Sequence, residues 1–162
     1  MKMCNAEIMK KIKLLEQSKN DLLMEEYRTH QVTYQNEKDR FDYGYSFSKT
    51  REKISTIDTE TRNLKRLLNL SNATTMVTEF SMTLGECLVY LAQLNRELAL
   101  VNNLAKKEPT TTRTSYGGVV EYTALNYDKA ECQARLEWLH ETIAKLQIAI
   151  DRTNLMNMIE VG

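Results

Sequence analysis

Apolar residues recur every three or four positions in separate stretches of the chain. One stretch contains Ile54, Ile57, Thr61, Leu64 and Leu68, and another contains Cys132, Leu136, Leu139, Ile143, Leu146 and Ile150. This spacing places the apolar side chains on one face of a helix, and such a face has to be buried against another helix. The pattern therefore predicts an all-α fold, an antiparallel bundle of about four long helices with one or two short β-hairpins.

The first two helices are predicted from apolar spacing and from residues that end helices. The first helix should run from about Asn5 to the low thirties. The second should begin near Ser48, a good N-cap residue. It should end at Asn69–Asn72, because Asn and Ser side chains compete for backbone hydrogen bonds. We expect an irregular linker from there through Phe80.

The third helix has the clearest start signal. Thr83 and Glu86 have the spacing of a capping box, in which each side chain meets the backbone amide of the other residue. Pro109 should end this helix, because proline has no amide hydrogen and its ring clashes with the preceding turn. The fourth helix should run from near Asn126 to the late 150s.

Two segments between the helices have β-like composition. Residues 110–123 are rich in β-branched side chains around Gly117–Gly118, which predicts a hairpin with a tight turn. In Tyr27–Phe47 the aromatic residues partly alternate with polar ones, which fits a short strand, a hairpin arm or an aromatic loop over the bundle end. We find no tandem repeat and no domain boundary, so residues 1–162 are predicted to form a single domain.

Charge and cysteine content narrow the classes of partner and compartment. The chain has 22 basic and 22 acidic residues, so no net positive charge drives binding to double-stranded nucleic acid. Its three cysteines are too widely spaced for a disulfide framework or a Cys-x-x-Cys metal site. Charges interrupt the apolar residues near the N-terminus, and no stretch is long enough to span a membrane. These features predict a cytoplasmic protein with reduced thiols and no membrane partner.

Catalytic and metal-binding patterns are weak. Glu137 and His140 have the Glu-x-x-His spacing of di-iron bundles, which need a second copy. The only other histidine is His30, and Tyr27 stands three residues before it. No P-loop or nucleophile elbow is present. We therefore expect no catalytic residues, no metal and no cofactor, and we favour a non-enzymatic function while leaving an enzyme open.

The segment from Lys106 to Tyr122 has the composition of a ligand site. It combines positive charge, hydroxyl groups and aromatic rings, which suit an anionic or nucleotide-like ligand. The predicted binding residues are Lys106, Arg113, Ser115, Tyr116 and Tyr122, together with Asn69, Asn72 and Thr74 from the predicted turn after the second helix. The alternative is a polar hairpin that binds nothing, with asparagines that cap helix ends.

Three short segments resemble a family of small helical proteins from bacteria and phages, some of which are called septicolysin. Leu68–Thr75 resembles the family's Ile-Asn-Arg-Thr-Asn-Ala-Ala-Thr segment. Thr83–Leu88 resembles its Thr-Leu-x-x-Ala-Leu helix start, and Ile150–Asn154 resembles its Ile-Gln-x-x-Asn close. The family often has Trp after the final Asn, where this chain has Leu155. The resemblance implies an oligomeric helical fold and says little about function.

Two functions follow as hypotheses. In the first, a non-enzymatic homo-oligomer binds a small anionic or nucleotide-like ligand through its inter-helix loops and sequesters a nucleotide signal. In the second, the protein is a scaffold that pairs with itself or another protein and binds no small molecule. The homo-oligomer is expected because the apolar residues of the first helix and of Tyr27–Phe47 exceed what one monomer can bury.

Overall fold

A computed structural model describes residues 1–161 of the chain. It contains four helices and three antiparallel pairs of short strands, which confirms a helical protein with small hairpins. In chain order the elements are β1 (Lys2–Cys4), α1 (Asn5–Thr29), α2 (Phe47–Thr74), β2 (Met76–Val77), β3 (Met82–Thr83), α3 (Leu84–Ala105), β4 (Thr110–Thr114), β5 (Val120–Ala124), α4 (Lys129–Met156) and β6 (Met158–Glu160). The contacts group the chain into two compact units, Met1–Thr75 with residues 154–161, and Met76–Thr153.

The first unit is built on the antiparallel pair α1 and α2. The buried residues Ile8, Ile12 and Leu64 form its apolar core. Ion pairs cross between the helices, including Lys19 with Asp58 at 2.7 Å and Lys65 with Glu16 at 2.7 Å. Strands β1 and β6 pair at the start of α1, with Met3 opposite Ile159.

The second unit repeats this plan with α3, α4 and the pair β2–β3. Its core is larger and contains Val77, Leu84, Cys87, Leu94, Leu139, Ile143, Leu146, Ala149 and Ile150. Arg135 of α4 forms two hydrogen bonds with Glu97 of α3, at 2.7 and 2.9 Å. Four of the five α4 residues of this core belong to the predicted apolar stripe, and the fifth, Ala149, was not predicted.

Several predicted boundaries are confirmed and others are wrong. The capping box at Thr83 is present, because Glu86 accepts the Thr83 amide at 2.7 Å and Thr83 Oγ1 accepts the Glu86 amide at 3.2 Å. Helix α2 does not end at Asn69–Asn72 but continues to Thr74. The segment through Phe80, expected to be an irregular linker, contains β2 and a 3-10 turn. Strand β2 pairs with β3. Helix α4 begins at Lys129 rather than near Asn126.

The two β-like segments differ in structure. Residues 110–124 form the predicted hairpin, and Gly117 and Gly118 have φ of 102° and 81°. The loop is longer than a two-residue turn, because the Ser115 amide donates to the Val119 carbonyl at 2.8 Å. Tyr27–Phe47 contains the end of α1, the 3-10 turn Glu37–Asp39 and irregular backbone, without a strand. The segment is therefore a loop rather than a strand or a hairpin arm.

The two halves of the chain share one order of elements, which we call the structural repeat. In each half a short strand leads into a helix whose first turn is closed by glutamate. Cys4 N donates to Glu7 Oε2 at 2.8 Å, as Thr83 N donates to Glu86 Oε2 at 2.7 Å. A second helix and another strand follow, and the segment Ser71–Asn72 of α2 corresponds to Thr153–Asn154 of α4.

The strand pair of the first compact unit, β1–β6, and that of the second, β2–β3, have corresponding registers. The residue before α3, Thr83, lies opposite Met76, and the residue before α1, Cys4, lies opposite Met158. Both partner methionines stand two residues after the end of a helix. The spacing of these positions agrees, while the side chains at them differ: Cys4 and Asn5 correspond to Thr83 and Leu84.

Candidate functional site

Of the predicted ligand residues of the β4–β5 hairpin, Arg113, Tyr116 and Tyr122 are exposed and Ser115 is half-buried, and the four side chains do not converge. Arg113 lies opposite Glu121, and Tyr122 lies opposite Thr112. Because successive strand residues point to opposite faces, Arg113 and Tyr122 are on different faces of the hairpin. Tyr116 extends fully into solvent from the loop. The guanidinium of Arg113 thus lies on the same face as the Glu121 carboxylate, whereas the Tyr122 ring lies on the other face and the Tyr116 ring on the loop.

The remaining predicted residues lie on helix ends. Lys106 follows the last residue of α3, and its side chain is exposed. Asn69, Asn72 and Thr74 lie within the last turns of α2 rather than on a turn after it. Thr74 Oγ1 donates to the Leu70 carbonyl oxygen at 2.9 Å, so that hydroxyl satisfies its own helix. These residues belong to the first compact unit, and Lys106 and the hairpin belong to the second.

A concave site is present in the connector between α1 and α2. A cleft of about 530 Å³ is lined by Thr29, His30, Gln31, Val32, Tyr34, Arg40, Phe41, Asp42, Tyr43 and Tyr45. This volume is within the range of small-molecule sites, and the mixture of aromatic walls and a few polar groups is typical of them. We call it the connector cleft.

The aromatic wall of the connector cleft has defined geometry. Phe41 and Tyr43 meet edge to face, with ring centroids 4.8 Å apart. The Arg40 guanidinium lies 5.7 Å from the centroid of the Tyr34 ring, within cation–π range. Arg40 also approaches Glu37 at 3.4 Å, an exposed and weak pair. The guanidinium therefore keeps hydrogen-bonding capacity for an incoming group.

One end of the cleft is fastened to α1 through Glu26. The Tyr45 hydroxyl donates to Glu26 Oε1 at 2.6 Å, and Arg51 pairs with the other carboxylate oxygen. The hydrogen bond from Tyr45, with the smaller contribution of Arg51, holds the pKa of Glu26 below its usual value, although burial opposes this effect. The same hydrogen bond raises the pKa of Tyr45. Tyr45 is thus a fixed wall of the cleft.

Two further side chains give the cleft polar character. His30 Nδ1 lies 3.0 Å from the backbone carbonyl oxygens of Glu26 and Tyr27. Because a carbonyl can only accept, Nδ1 carries the hydrogen, and Nε2 is the ring atom that can meet a ligand. Asp42 Oδ1 accepts the Gly44 amide at 2.8 Å, which closes a turn and orients the carboxylate.

A second polar group in the first unit is buried and satisfied. Asn5 is fully buried, and it donates to Asn154 Oδ1 at 3.1 Å. Its own oxygen accepts from Ser71 Oγ at 2.9 Å, while Ser71 accepts from Asn157 at 2.8 Å. Sequence analysis selected Asn69 and Asn72 as candidate polar residues and did not identify Asn5. Since these atoms satisfy each other, the group is structural.

Sequence reasoning identified the aromatic composition of Tyr27–Phe47 but assigned no site residues to it. The available signal was four aromatic residues with an arginine in a short connector, at positions 34, 40, 41, 43 and 45. The cleft itself depends on how the connector folds back on α1 through the contact between Tyr45 and Glu26. That contact joins residues far apart in sequence, so periodicity cannot predict it.

Across residues 1–161, no group of three or more His, Cys, Asp or Glu side chains is arranged to hold a metal ion. Within the same range, none of the helices is both long enough and apolar enough to cross a membrane.

Comparison with known proteins finds a similarity in structure but none in sequence. No protein-family model matches the chain, and no curated protein matches it significantly in sequence. The structure is similar to the crystal structure of a functionally unknown conserved protein from Corynebacterium diphtheriae, with a TM-score of 0.71 and 16% sequence identity. The match covers 99% of this chain and 100% of that chain. At this identity the similarity shows a shared fold and nothing about function.

Proposed function

We propose that the protein is a non-enzymatic binding protein for a small anionic, nucleotide-like ligand, and that it sequesters this ligand. The observation that carries the proposal is the connector cleft, which combines aromatic walls with a cation in one concavity of about 530 Å³. This geometry favours the connector cleft over the β4–β5 hairpin as the principal site, although both are inter-helix loops.

The lining chemistry suits a flat ring that carries negative charge. Tyr34, Phe41 and Tyr43 offer aromatic faces and edges on which a base can stack. Arg40 offers a planar fork of donors for phosphate or carboxylate. Asp42 can accept hydrogen bonds from hydroxyl or amino groups. A ligand with a ring, hydroxyl groups and an anionic group would use all three kinds of contact.

Binding without turnover fits the same residues. Glu26, the carboxylate with a lowered pKa beside the cleft, is tied to Tyr45 and Arg51 and so is not poised as a general base. Catalysis would need a nucleophile, base and stabilising donors within reach of one reacting atom. The lining supplies recognition groups instead, which supports sequestration.

Other expectations remain part of this proposal. They are a cytoplasmic location, one antiparallel four-helix bundle and a homo-oligomer. The hairpin residues Arg113, Ser115, Tyr116 and Tyr122, with Lys106 and the α2 residues Asn69, Asn72 and Thr74, stay predicted as a separate ligand surface, which the ligand of the connector cleft is not expected to use.

A melting-temperature screen tests the proposal. Nucleotides, cyclic dinucleotides and sugar phosphates would be added to the purified protein, and unfolding followed by circular dichroism. A ligand present at one hundred times its Kd stabilises the folded state by about 2.7 kcal/mol, which raises Tm by roughly 5–10 °C. We expect at least one of these anions to produce such a shift.

Two matched arginine variants locate the site. Arg40→Gln removes the cation of the connector cleft, and Arg113→Gln removes the cation of the hairpin. The proposal expects Arg40→Gln to reduce the ligand-induced shift and Arg113→Gln to leave it unchanged. If only Arg113→Gln reduced the shift, the hairpin would be the site, and if no anion shifted Tm the ligand proposal would be rejected.

The scaffold alternative is favoured by one specific observation. Leu23, Met24 and Tyr27 lie on neighbouring turns of α1 and are exposed. Such a patch is typical of a protein-binding surface. If Tyr27→Glu abolished capture of a partner protein while every small anion failed to shift Tm, the scaffold function would replace the ligand proposal.

A further inference from the structure

The lining of the connector cleft contains one arginine and one carboxylate. Among its ten residues these are Arg40 and Asp42, and the lining has no lysine and no glutamate. Asp42 Oδ1 accepts the Gly44 amide, so Oδ2 is the oxygen that can meet a ligand. Within residues 1–161, none of the ion pairs includes Asp42. A ligand in the cleft therefore meets one cation and one carboxylate that no cation neutralises.

The connector between α1 and α2 has more carboxylates than cations. Its charged residues are Lys38, Arg40, Glu37, Asp39 and Asp42. Arg40 already shares its charge with Glu37, whose carboxylate lies 3.4 Å from the guanidinium. One negative charge on a ligand can pair with Arg40. A second negative charge finds no further cation in the lining and is repelled by Asp42.

We propose that the connector cleft selects a nucleotide with a single negative charge, a cyclic mononucleotide. This inference rests on the proposed function, because it concerns the ligand of the same cleft. A cyclic phosphodiester has one charge shared by two oxygens, and the planar guanidinium of Arg40 can donate to both. A phosphate monoester carries roughly −1.5 to −2 charges at pH 7. Its additional charge would lose water without gaining a cation, which is costly.

The other groups of the cleft suit the rest of such a ligand. Tyr34, Phe41 and Tyr43 offer aromatic surface to one base. Asp42 Oδ2 can accept a hydrogen bond from the free 2′-hydroxyl of a 3′,5′-cyclic ribonucleotide, so the carboxylate that repels a second charge also recognises the sugar. One base, one sugar and one phosphate need a site of modest size, as the cleft of about 530 Å³ is.

Isothermal titration of the purified chain with nucleotides of different charge tests the inference. The probes are the 3′,5′-cyclic monophosphates, 5′-monophosphates and 5′-triphosphates of adenosine, guanosine, cytidine and uridine. A magnesium-free buffer at pH 8 keeps the monoesters dianionic and their charges unmasked. For the base that binds best, we expect the Kd of the 5′-monophosphate to exceed that of the cyclic form by about fivefold or more. The triphosphate should bind more weakly still.

Two aspartate variants of the connector are matched in charge. Asp42→Asn removes the carboxylate of the lining and keeps a side-chain oxygen for the Gly44 amide. Asp39→Asn makes the same charge change outside the lining, where Asp39 accepts from Asn36 at 3.0 Å. The ratio of the monophosphate Kd to the cyclic Kd should fall toward one in Asp42→Asn and stay nearly unchanged in Asp39→Asn. A ratio cancels any effect that a variant has on both ligands alike.

The possible results separate this inference from the proposed function. If a 5′-monophosphate or a triphosphate bound as tightly as the cyclic form, the charge selection would be overturned while the binding function stood. Equal changes of the ratio in Asp42→Asn and Asp39→Asn would overturn the role given to the cleft carboxylate. If no nucleotide of any charge bound, the proposed function would fail, and this inference would fail with it.

Discussion

Asn5 shows how a single residue distinguishes the two halves of the repeat. It begins α1 and is fully buried, while the corresponding first residue of α3 is the buried Leu84. One half thus has a polar side chain where the other has an apolar one. The amide is retained there because Asn154 and Ser71 satisfy it.

Asn5→Ala should destabilise the protein by about 2 kcal/mol, because the half-buried Asn154 oxygen loses its donor and the buried Ser71 hydroxyl loses its acceptor. Urea unfolding followed by circular dichroism would measure the change. Asn69→Ala, on an exposed position of α2, is the control and should change stability by less than about 0.5 kcal/mol. Equal effects of the two substitutions would show that the buried group contributes little.

Glu86 should make helix α3 sensitive to acid. Hydrogen bonds from the Thr83 backbone, and then from its side chain, lower the pKa of Glu86 below the ordinary value of 4.5. A lowered folded-state pKa stabilises the protein above the unfolded pKa, and this contribution is lost as pH falls through the folded value. The Tm difference between the parent chain and Glu86→Gln should therefore be present at neutral pH and vanish in acid. A difference independent of pH would contradict this explanation.

At the scale of elements, the connector between α1 and α2 depends on one anchor. Tyr45 and Arg51 both meet Glu26, whose side chain is only 19% exposed. Much of the remaining connector is exposed. Loss of the anchor should therefore loosen the connector and leave the helix pair largely intact.

Glu26→Ala should speed tryptic cleavage of the connector after Lys38 and Arg40, because Tyr45 no longer fixes it to α1. The circular dichroism spectrum should show little change. Glu25→Ala is the matched control, since Glu25 is the neighbouring residue and is exposed. Mass spectrometry of the first fragments would identify the cleavage sites. Equal cleavage in both variants would show that Glu26 does not hold the connector.

Much of the secondary structure follows from the sequence. Periodicity predicted the four helices, the Thr83–Glu86 spacing predicted the start of α3, and Gly117–Gly118 predicted the hairpin loop. The end of α2 was placed too early because Asn69–Asn72 can end a helix, and here Ser71 instead finds a partner in Asn5. The connector cleft was not predicted, because its shape depends on the long-range contact of Tyr45 with Glu26.

At the scale of the whole molecule, the strand pair β1–β6 at the two ends of the chain corresponds to the pair β2–β3, whose strands are joined by a turn. Met1 and Val161 exchange hydrogen bonds, from Met1 N at 3.1 Å and from Val161 N at 2.8 Å. In the second compact unit the corresponding strands β2 and β3 are joined directly through residues 78–81. The strand pair is thus open in the first unit and closed by a turn in the second.

A circular permutant should therefore fold. It would join the two ends through a short Gly-Ser linker and open the chain between β2 and β3. We expect the helical circular dichroism spectrum and a cooperative unfolding transition close to those of the parent chain, because exposed turns tolerate new termini. A permutant opened at Thr61, within α2, is the control and should be strongly destabilised. If both permutants were equally destabilised, the β1–β6 pair would not be equivalent to the β2–β3 pair.

The single tryptophan of the chain, Trp138, has a consequence for spectroscopy. It lies on α4 in the second compact unit, with the Arg135 guanidinium 4.1 Å from its ring centroid. The tyrosines of the connector cleft lie in the other unit. Tryptophan emission therefore reports on the second unit alone, whereas tyrosine absorbance reports on both units, because four of the eight tyrosines lie in each. If the two signals change at the same urea concentration, the halves unfold as one cooperative system, and if they separate, each half has its own transition.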